Sequence, residues 1–218
     1  MVQESEVIIS VATTKGGPGK TTLAMCLADY WRRQGVLVEC LDSDPNKNLI
    51  SWLGASSKIP CTAVGEDDVV DEATKAADRS EVVIIDVAGS LARALVYAIS
   101  VSDFVLMPAR PDAKDVIEAS RTAHHIHSSI KGARKFNLNA NIPFAALLTQ
   151  VNPRARVTAH SREQLTSLGV PVFEAEVTLR TAYQQASYGG SPLEDPAVMT
   201  DITAVVAEIM EAVNGIPA

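Results

Sequence analysis

A glycine- and lysine-rich segment near the start of the chain is typical of a loop that binds phosphate groups. Residues 14–22 are T-K-G-G-P-G-K-T-T, between an apolar β-branched segment and an amphipathic one. Glycines let the backbone curl so that successive N–H groups face phosphate oxygens, and the following helix adds its positive N-terminal end. The residues expected to bind the nucleotide here are Gly16, Gly17, Gly19, Lys20, Thr21 and Thr22. Lys20 is expected to neutralise the β- and γ-phosphates, Thr21 to ligate Mg²⁺, and Thr22 to reach an α-phosphate oxygen.

Two positions of this loop depart from the common pattern G-x-x-x-x-G-K-[ST]. Thr14 stands where the first glycine belongs, and Lys15 is a second lysine inside the loop. In this the chain resembles the deviant Walker-A ATPases of the ParA/MinD family, whose loop is K-G-G-x-G-K-T. The resemblance implies an ATP-bound homodimer in which Lys15 reaches across the interface to the phosphates of the partner's nucleotide. The residues alone also allow a solvated lysine without that role.

Acidic residues follow two of the apolar segments. Asp42 and Asp44 belong to L-D-S-D-P-N, and Asp86 directly follows V-V-I-I. Carboxylates beside a polyphosphate repel it unless a metal ion lies between them, so these acids favour a magnesium–nucleotide site. The resemblance implies that Asp42 and Asp86 help to hold Mg²⁺, Asp86 through a water, and that Asp44 positions the attacking water. The alternatives are an Asp-Pro turn with a helix cap, and a capping aspartate at a strand end.

The resemblance also implies an enzyme that hydrolyses ATP to ADP and phosphate, with Lys15, Lys20 and Asp44 as its catalytic residues. Gln150 and Asn152 follow a later apolar segment, where members of the family place residues near the nucleotide base. We therefore expect these two side chains near adenine. An ordinary loop after a strand explains this segment equally well.

The elements that position these residues alternate along the chain. Val/Ile-rich segments at 7–13, 36–41, 82–85, 104–107, 144–148 and 170–173 are predicted strands. Helical spacing predicts helices at 21–34, 112–130, 161–168 and 197–213, and residues 54–78 are expected to hold one more helix and a short edge strand. Strands separated by helices imply parallel pairing through crossovers. The sequence therefore predicts a single α/β domain over 1–218, a mostly parallel sheet with helices on both faces.

Composition excludes several classes of protein. The chain has 218 residues, 47% of them hydrophobic, which is enough for a substantial core and unlike a disordered chain. Only 5% are aromatic, which argues against binding by stacked aromatic rings. Three cysteines without C-x-x-C spacing argue against a disulfide framework or a zinc site. The acidic first ten residues and the lack of a long apolar run predict a cytoplasmic protein.

Within the family, the segments around L-D-S-D-P-N-K-N and I-I-D-V-A-G-S-L are most similar to the short, ParF-like plasmid-partition ATPases. Members with a membrane anchor have a basic amphipathic tail, whereas residues 201–218 contain no Lys or Arg, so we expect no membrane binding. The resemblance implies nonspecific DNA binding by the ATP-bound dimer, association with the nucleoid, and hydrolysis stimulated by a centromere-binding adaptor.

DNA binding needs a local basic patch because the net charge is −7. The candidate cations are Lys131, Arg134, Lys135, Arg154, Arg156, Arg162 and Arg180. Scattered solvated cations are the alternative interpretation of these residues. Two other functions remain open at this point. One is an ATP-dependent ligase or amidase of the dethiobiotin synthetase or cobyrinate type, and the other is ParA-like positioning of a different cargo.

Overall fold

The computed structural model describes residues 6–54, 57–89, 92–135 and 142–215. Seven strands form one sheet in the order β3-β2-β4-β1-β5-β6-β7, and every strand pair described is parallel. The strands are β1 (Val7–Val11), β2 (Val38–Asp42), β3 (Cys61–Ala63), β4 (Val82–Asp86), β5 (Phe104–Ala109), β6 (Phe144–Val151) and β7 (Val172–Thr178). Parallel neighbours require crossovers, and helices supply them.

Eight α-helices connect and cover the strands in the described part of the chain. They are α1 (Lys20–Arg33), α2 (Asn48–Leu53), α3 (Val69–Ala77), α4 (Ala92–Val101), α5 (Ala113–Lys135), α6 (Val157–Ser167), α7 (Thr181–Ala186) and α8 (Pro196–Asn214). Two separate apolar cores result, one on each face of the sheet. Helices α1, α2 and α8 pack into the first core, and α3 to α6 into the second.

The central position of β1 in the sheet explains why its sequence is almost entirely apolar. Ile9 and Val11 face the core beneath α1 and α8, whereas Ile8 packs against the opposite core. A central strand that is covered on both faces needs apolar side chains at successive positions. This placement leaves the carboxyl end of β1, and the loop that follows it, between the ends of β4 and β5.

The acidic C-terminal helix packs on the sheet. Its buried stripe comprises Val198, Ile202, Val205, Val206 and Ile209. Asp201 accepts a hydrogen bond from the Thr178 backbone N–H (3.1 Å), and Glu208 accepts two from the β7 backbone, at Glu174 and Ala175. Asp201 and Glu208 of α8 therefore bind the backbone of β7. Among the described helices none is long and apolar enough to cross a membrane.

The α/β class with helices on both faces is confirmed, and the sheet is parallel at every described strand pair. The helix and edge strand expected within 54–78 are α3 and β3. Helices α2, α4 and α7 were not predicted. Helices α2 and α7 have only 6 residues each, too short to show a repeating apolar face, and α4 is apolar almost throughout.

Candidate functional site

The glycine-rich loop connects β1 to α1 at the carboxyl edge of the sheet. Gly17 and Gly19 have φ angles of 104° and 97°, which residues with a Cβ rarely adopt. Lys20 begins α1 directly after the second of these glycines, and its side chain is largely buried. The curled backbone and the helix N-terminus therefore face one region, as a phosphate site requires.

The end of β6 holds the later part of this loop. The buried Thr149 hydroxyl donates to the Pro18 carbonyl oxygen (2.8 Å), and the Gln150 amide donates to the Gly17 carbonyl oxygen (3.2 Å). Sequence reasoning singled out Gln150 but missed Thr149. The available signal was a hydroxyl at the end of an otherwise apolar strand.

Helix α5 holds the earlier part of the loop. The Thr14 hydroxyl donates to Glu118 Oε2 (2.8 Å), and the Thr14 backbone N–H donates to Thr122 Oγ1 (3.2 Å). The Lys15 ammonium forms an ion pair with Asp115 Oδ1 at 2.7 Å. Sequence reasoning predicted the helix but gave none of its three acceptors a role. They are spaced three, four and seven residues apart, which places them on one helix face. Their contact with the loop depends on the tertiary fold, so the spacing alone does not reveal it.

Asp115 is buried and has two cationic partners. Its Oδ2 accepts from the Arg110 guanidinium at 2.9 Å and from the Arg110 backbone N–H at 3.0 Å. Burial alone would raise the pKa of Asp115, but the hydrogen bonds from Arg110 and Lys15 outweigh it and lower the pKa to about 2. Asp115 is therefore ionised and would keep a cationic partner if Lys15 moved away.

Lys20, Thr21 and Asp86 meet at the base of the loop. The Lys20 ammonium donates to the Lys15 carbonyl oxygen (3.0 Å), and the Thr21 hydroxyl donates to Asp86 Oδ2 (2.7 Å). Burial lowers the pKa of Lys20, against the opposing effect of nearby Asp86 and Asp44. Burial also raises the pKa of Asp86 to about 7, although the Thr21 hydrogen bond acts in the opposite direction.

The geometry around Asp86 fits a hard cation. Its Oδ1 is buried without a hydrogen-bond partner among the described residues, and the Thr21 hydroxyl lies against its other oxygen. A buried carboxylate oxygen left unpaired is costly, and a divalent cation or its water would relieve that cost. Thr21 and Asp86 are thus the two predicted metal-binding residues that the structure brings together directly.

Asp42 lies beside Asp86 in register on β2, but its carboxylate oxygens bind the backbone. They accept from the N–H groups of Asp44 (3.0 Å), Leu49 (3.0 Å) and Ile50 (3.1 Å). Asp42 therefore caps the N-terminus of α2 and shapes the loop before it. A helix cap is the alternative role that the sequence allows for Asp42 and Asp44. Its role in holding Mg²⁺ stays a prediction.

Asp44 is half-buried in the turn that follows β2. Its Oδ1 accepts from both the backbone N–H and the side-chain amide of Asn46, each at 2.9 Å. Its negative charge acts on the ionisation of Lys20 and of Asp86. Among the described residues its other carboxylate oxygen accepts no hydrogen bond, so Asp44 is available to an incoming water, and that role stays a prediction.

The segments after β2 and β4 are joined to each other and to the loop. Ser43 Oγ accepts from the Ala88 backbone N–H (3.1 Å) and donates to the Asp86 carbonyl oxygen (3.1 Å). A Cβ on Gly89 would lie 2.9 Å from the Lys15 carbonyl oxygen and 3.0 Å from Lys20 Nζ. Only glycine fits this close approach. Sequence reasoning missed Ser43, which stands between the two predicted aspartates.

A cavity of about 190 Å³ opens beside the loop, between the ends of β6 and β7 and the start of α1. Pro18, Thr22, Gln150, Arg180 and Tyr183 are among the residues that line it. Gln150 lines this cavity, and its place near adenine stays a prediction. Asn152 is not among the lining residues. It is exposed, and its side chain accepts from the Arg154 backbone N–H (3.1 Å), so its expected place near adenine gains no support.

The five candidate DNA-binding cations whose side chains the structure describes do not form one patch. Arg162 binds the β7 backbone and Glu176, and the half-buried Arg180 lies 3.6 Å from Asp201. Lys131 lies near the start of β6, at the sheet edge opposite the loop, whereas the exposed Arg154 and Arg156 follow the end of β6. The side chains of Arg134 and Lys135 lie outside the described residues. The loop after β6 thus keeps two of the predicted cations together.

A family model for the CobQ/CobB/MinD/ParA nucleotide-binding domain matches residues 9–193. The chain belongs to this family. The matched range contains the glycine-rich loop, the three aspartates of the site and all of α5. The ParA/MinD resemblance is therefore confirmed, and the ParA/MinD-type members of this family are ATPases.

Relatives in this family include positioning proteins. The chain is 30% identical to Protein ParA of Rhizobium radiobacter over 192 residues, 84% of each chain. It is 29% identical to the maintenance of carboxysome distribution protein A of Halothiobacillus neapolitanus over 196 residues, 87% of this chain and 88% of the relative. A solved complex of a substituted Cyanothece McdA with ATP shares the fold, with a TM-score of 0.72, 18% identity and 98% of each chain covered.

Proposed function

We propose that this chain is a magnesium-dependent ATPase that forms a homodimer around two ATP molecules and uses that state to position plasmid or chromosomal DNA for partition. The single observation that supports this most strongly is the placement of the two loop lysines. Lys20 lies in the base of the loop, while the Lys15 ammonium lies on Asp115 of α5. A lysine that its own loop does not need for phosphate binding suits a contact with a partner's nucleotide.

In this proposal ATP binds with its phosphates against the backbone of residues 16–20. Lys20 exchanges the Lys15 carbonyl oxygen for phosphate oxygens, and Thr21 and Asp86 hold the metal directly or through water. Magnesium, when bound, would neutralise charge on the β- and γ-phosphates. The Thr21–Asp86 hydrogen bond of 2.7 Å supports a shared role for these two oxygen groups.

Lys15 is the residue that would link nucleotide state to assembly. Because Asp115 retains Arg110, Lys15 can leave it without stranding a buried carboxylate. Its ammonium would then pair with the phosphates bound by the second copy. Hydrolysis, with Asp44 positioning the water, removes charge from that contact and favours return of Lys15 to Asp115.

DNA binding in the ATP state is proposed for the exposed arginines after β6, Arg154 and Arg156. The chain as a whole is acidic, with a net charge of −7, so DNA binding needs a local positive charge. A dimer that pairs two copies of the loop after β6 would double that small local charge. An adaptor that binds the centromere would then stimulate hydrolysis and release. Nucleoid association follows from the same contacts.

A second candidate cargo is favoured by the relative that maintains carboxysome distribution. The nucleotide switch would be the same, and the adaptor would be carried by a protein assembly instead of a centromere. Stimulation of ATP turnover by an adaptor from either system would distinguish the two cargoes.

The test combines light scattering with DNA co-sedimentation. We expect the mass to double with ATP but not with ADP, and sedimentation with DNA to require ATP and to weaken steeply with salt. Asp44→Ala should keep ATP binding and the dimer but stop turnover, which makes it the trapped state for these measurements. A chain that stays monomeric with ATP, ignores DNA and hydrolyses ATP only with an added metabolite would instead be a ligase or amidase.

A further inference from the structure

Thr14 and its contacts with α5 are not explained by phosphate binding. Thr14 occupies the position where the common loop pattern has glycine, and its side chain and backbone are both bound by another element. Its neighbour Lys15 has a backbone N–H that donates to Thr13 Oγ1 at 3.2 Å. Side-chain oxygens thus accept from two consecutive backbone N–H groups just before the glycines.

The hydrogen bonds around Thr14 form a consistent set. The Thr122 hydroxyl donates to the Glu118 carbonyl oxygen within α5 (2.9 Å), so it accepts from the Thr14 N–H. The Thr14 hydroxyl donates to the Glu118 carboxylate, which also accepts from Arg121 (2.6 Å). Each donor therefore has its own acceptor, and Thr122 is fully buried. Removal of the Thr122 hydroxyl would strand the Thr14 N–H.

The same helix carries the resting partner of Lys15. Asp115 precedes Glu118 by three residues and Thr122 by seven, so the three acceptors lie along one face of α5. The Lys15 carbonyl oxygen in turn contacts Lys20 Nζ and the position of Gly89. Because Gly89 lies close against this carbonyl group, the backbone at residue 15 must stay in place even when the Lys15 side chain leaves Asp115.

We infer that Glu118 and Thr122 are positioning residues that fix the Thr14–Lys15 backbone while the Lys15 side chain exchanges Asp115 for a phosphate group. This inference rests on the proposed function of Lys15 in the ATP-bound dimer. The later half of the loop has separate support from Thr149 and Gln150. Loss of the α5 contacts should therefore impair the step that needs Lys15 more than it impairs ATP binding.

The experiment measures the affinity for a non-hydrolysable ATP analogue and the kcat and KM for ATP in full-length variants. We expect Thr122→Val and Glu118→Ala to lower kcat about tenfold, the size of one lost hydrogen bond with a stranded partner, while analogue affinity changes less than about threefold. Thr122→Ser should restore most of kcat because it keeps the hydroxyl. Thr203→Val, which removes an exposed hydroxyl on α8, is the matched control.

Two results would overturn the inference. One is an unchanged kcat in both variants. The other is an analogue affinity that falls as far as kcat, which would show that α5 merely supports the whole loop. Lys15→Ala is measured in parallel. If Lys15→Ala turns over ATP like the wild type, the proposed function fails. A loss of turnover in Lys15→Ala without one in Thr122→Val overturns only the positioning role of Glu118 and Thr122. Thermal unfolding identifies any variant that fails to fold, in which case Thr14→Val, which removes the hydroxyl that donates to Glu118, replaces it.

Discussion

The two halves of the phosphate loop are held in different ways. Residues 17–22, the later half, are fixed by neutral hydrogen bonds from the end of β6 and by the backbone of α1. Residues 14 and 15, the earlier half, are fixed by side chains of α5, and one of these contacts is an ion pair with a lysine that is about one-third exposed. The neutral, buried contact of Thr149 keeps a single geometry, whereas a partly exposed cation such as Lys15 can change partner. The later half therefore suits nucleotide binding, and the earlier half suits a switch.

The largest effect is expected from breaking the later half at Lys20. Lys20→Ala should lower the affinity for ATP by about 100-fold or more, because a largely buried ammonium that would contact the phosphates is lost. Isothermal titration calorimetry measures this directly. Binding of ATP within about threefold of the wild type would remove Lys20 from the phosphate site.

The corresponding change in the earlier half should separate binding from assembly. Lys15→Ala is expected to bind ATP almost normally and yet to lose ATP-dependent dimerisation and about 100-fold in turnover, since the proposed contact forms only between two copies. Calorimetry and light scattering on the same sample give both values. A parallel loss of ATP affinity and assembly would show that the two halves have equivalent roles, which contradicts the difference proposed between them.

The ion pairs at Asp115 should also appear in the stability of the protein. The folded pKa of about 2 lies below the ordinary unfolded value, so the stabilisation is complete above about pH 4 and is lost as the pH falls towards 2. We expect about 2 kcal/mol of the free energy of unfolding to disappear across this range.

Asp115→Asn should remove that part of the pH dependence and lower stability at neutral pH. Urea unfolding at a series of pH values measures it, and Glu211→Gln, at an exposed carboxyl on α8, is the control. An Asp115→Asn profile parallel to that of the wild type from about pH 4 to about pH 2 would contradict the assigned ion pairs.

The smallest effect is expected at Thr149. Thr149→Val removes one hydrogen bond to the Pro18 carbonyl oxygen with little change in volume, which should weaken ATP binding about fivefold and leave kcat within about twofold. Calorimetry gives the affinity for ATP and steady-state kinetics gives kcat. Thr74→Val on the exposed face of α3 is the matched control. A reduced kcat with unchanged affinity would reverse the roles assigned to the two halves.

Much of this arrangement follows from local sequence. The loop, the apolar strands and the aspartates at the strand ends are contiguous patterns, so they predict both the fold class and the edge of the sheet that carries the site. The contacts from Thr149, Glu118 and Asp115 join residues that are 131, 104 and 100 positions apart, and no local pattern encodes such pairings. Asp42 illustrates the same limit, because its spacing suits a metal ligand while its oxygens bind the backbone of α2.

The central claim is that Lys15 leaves Asp115 to contact the nucleotide of a second copy. A crystal structure with a non-hydrolysable ATP analogue and magnesium tests it most directly. We expect a twofold dimer in which each Lys15 ammonium lies within hydrogen-bonding distance of the other subunit's triphosphate and Asp115 retains Arg110. A bound analogue with Lys15 still paired to Asp115, and no second copy across the site, would contradict it.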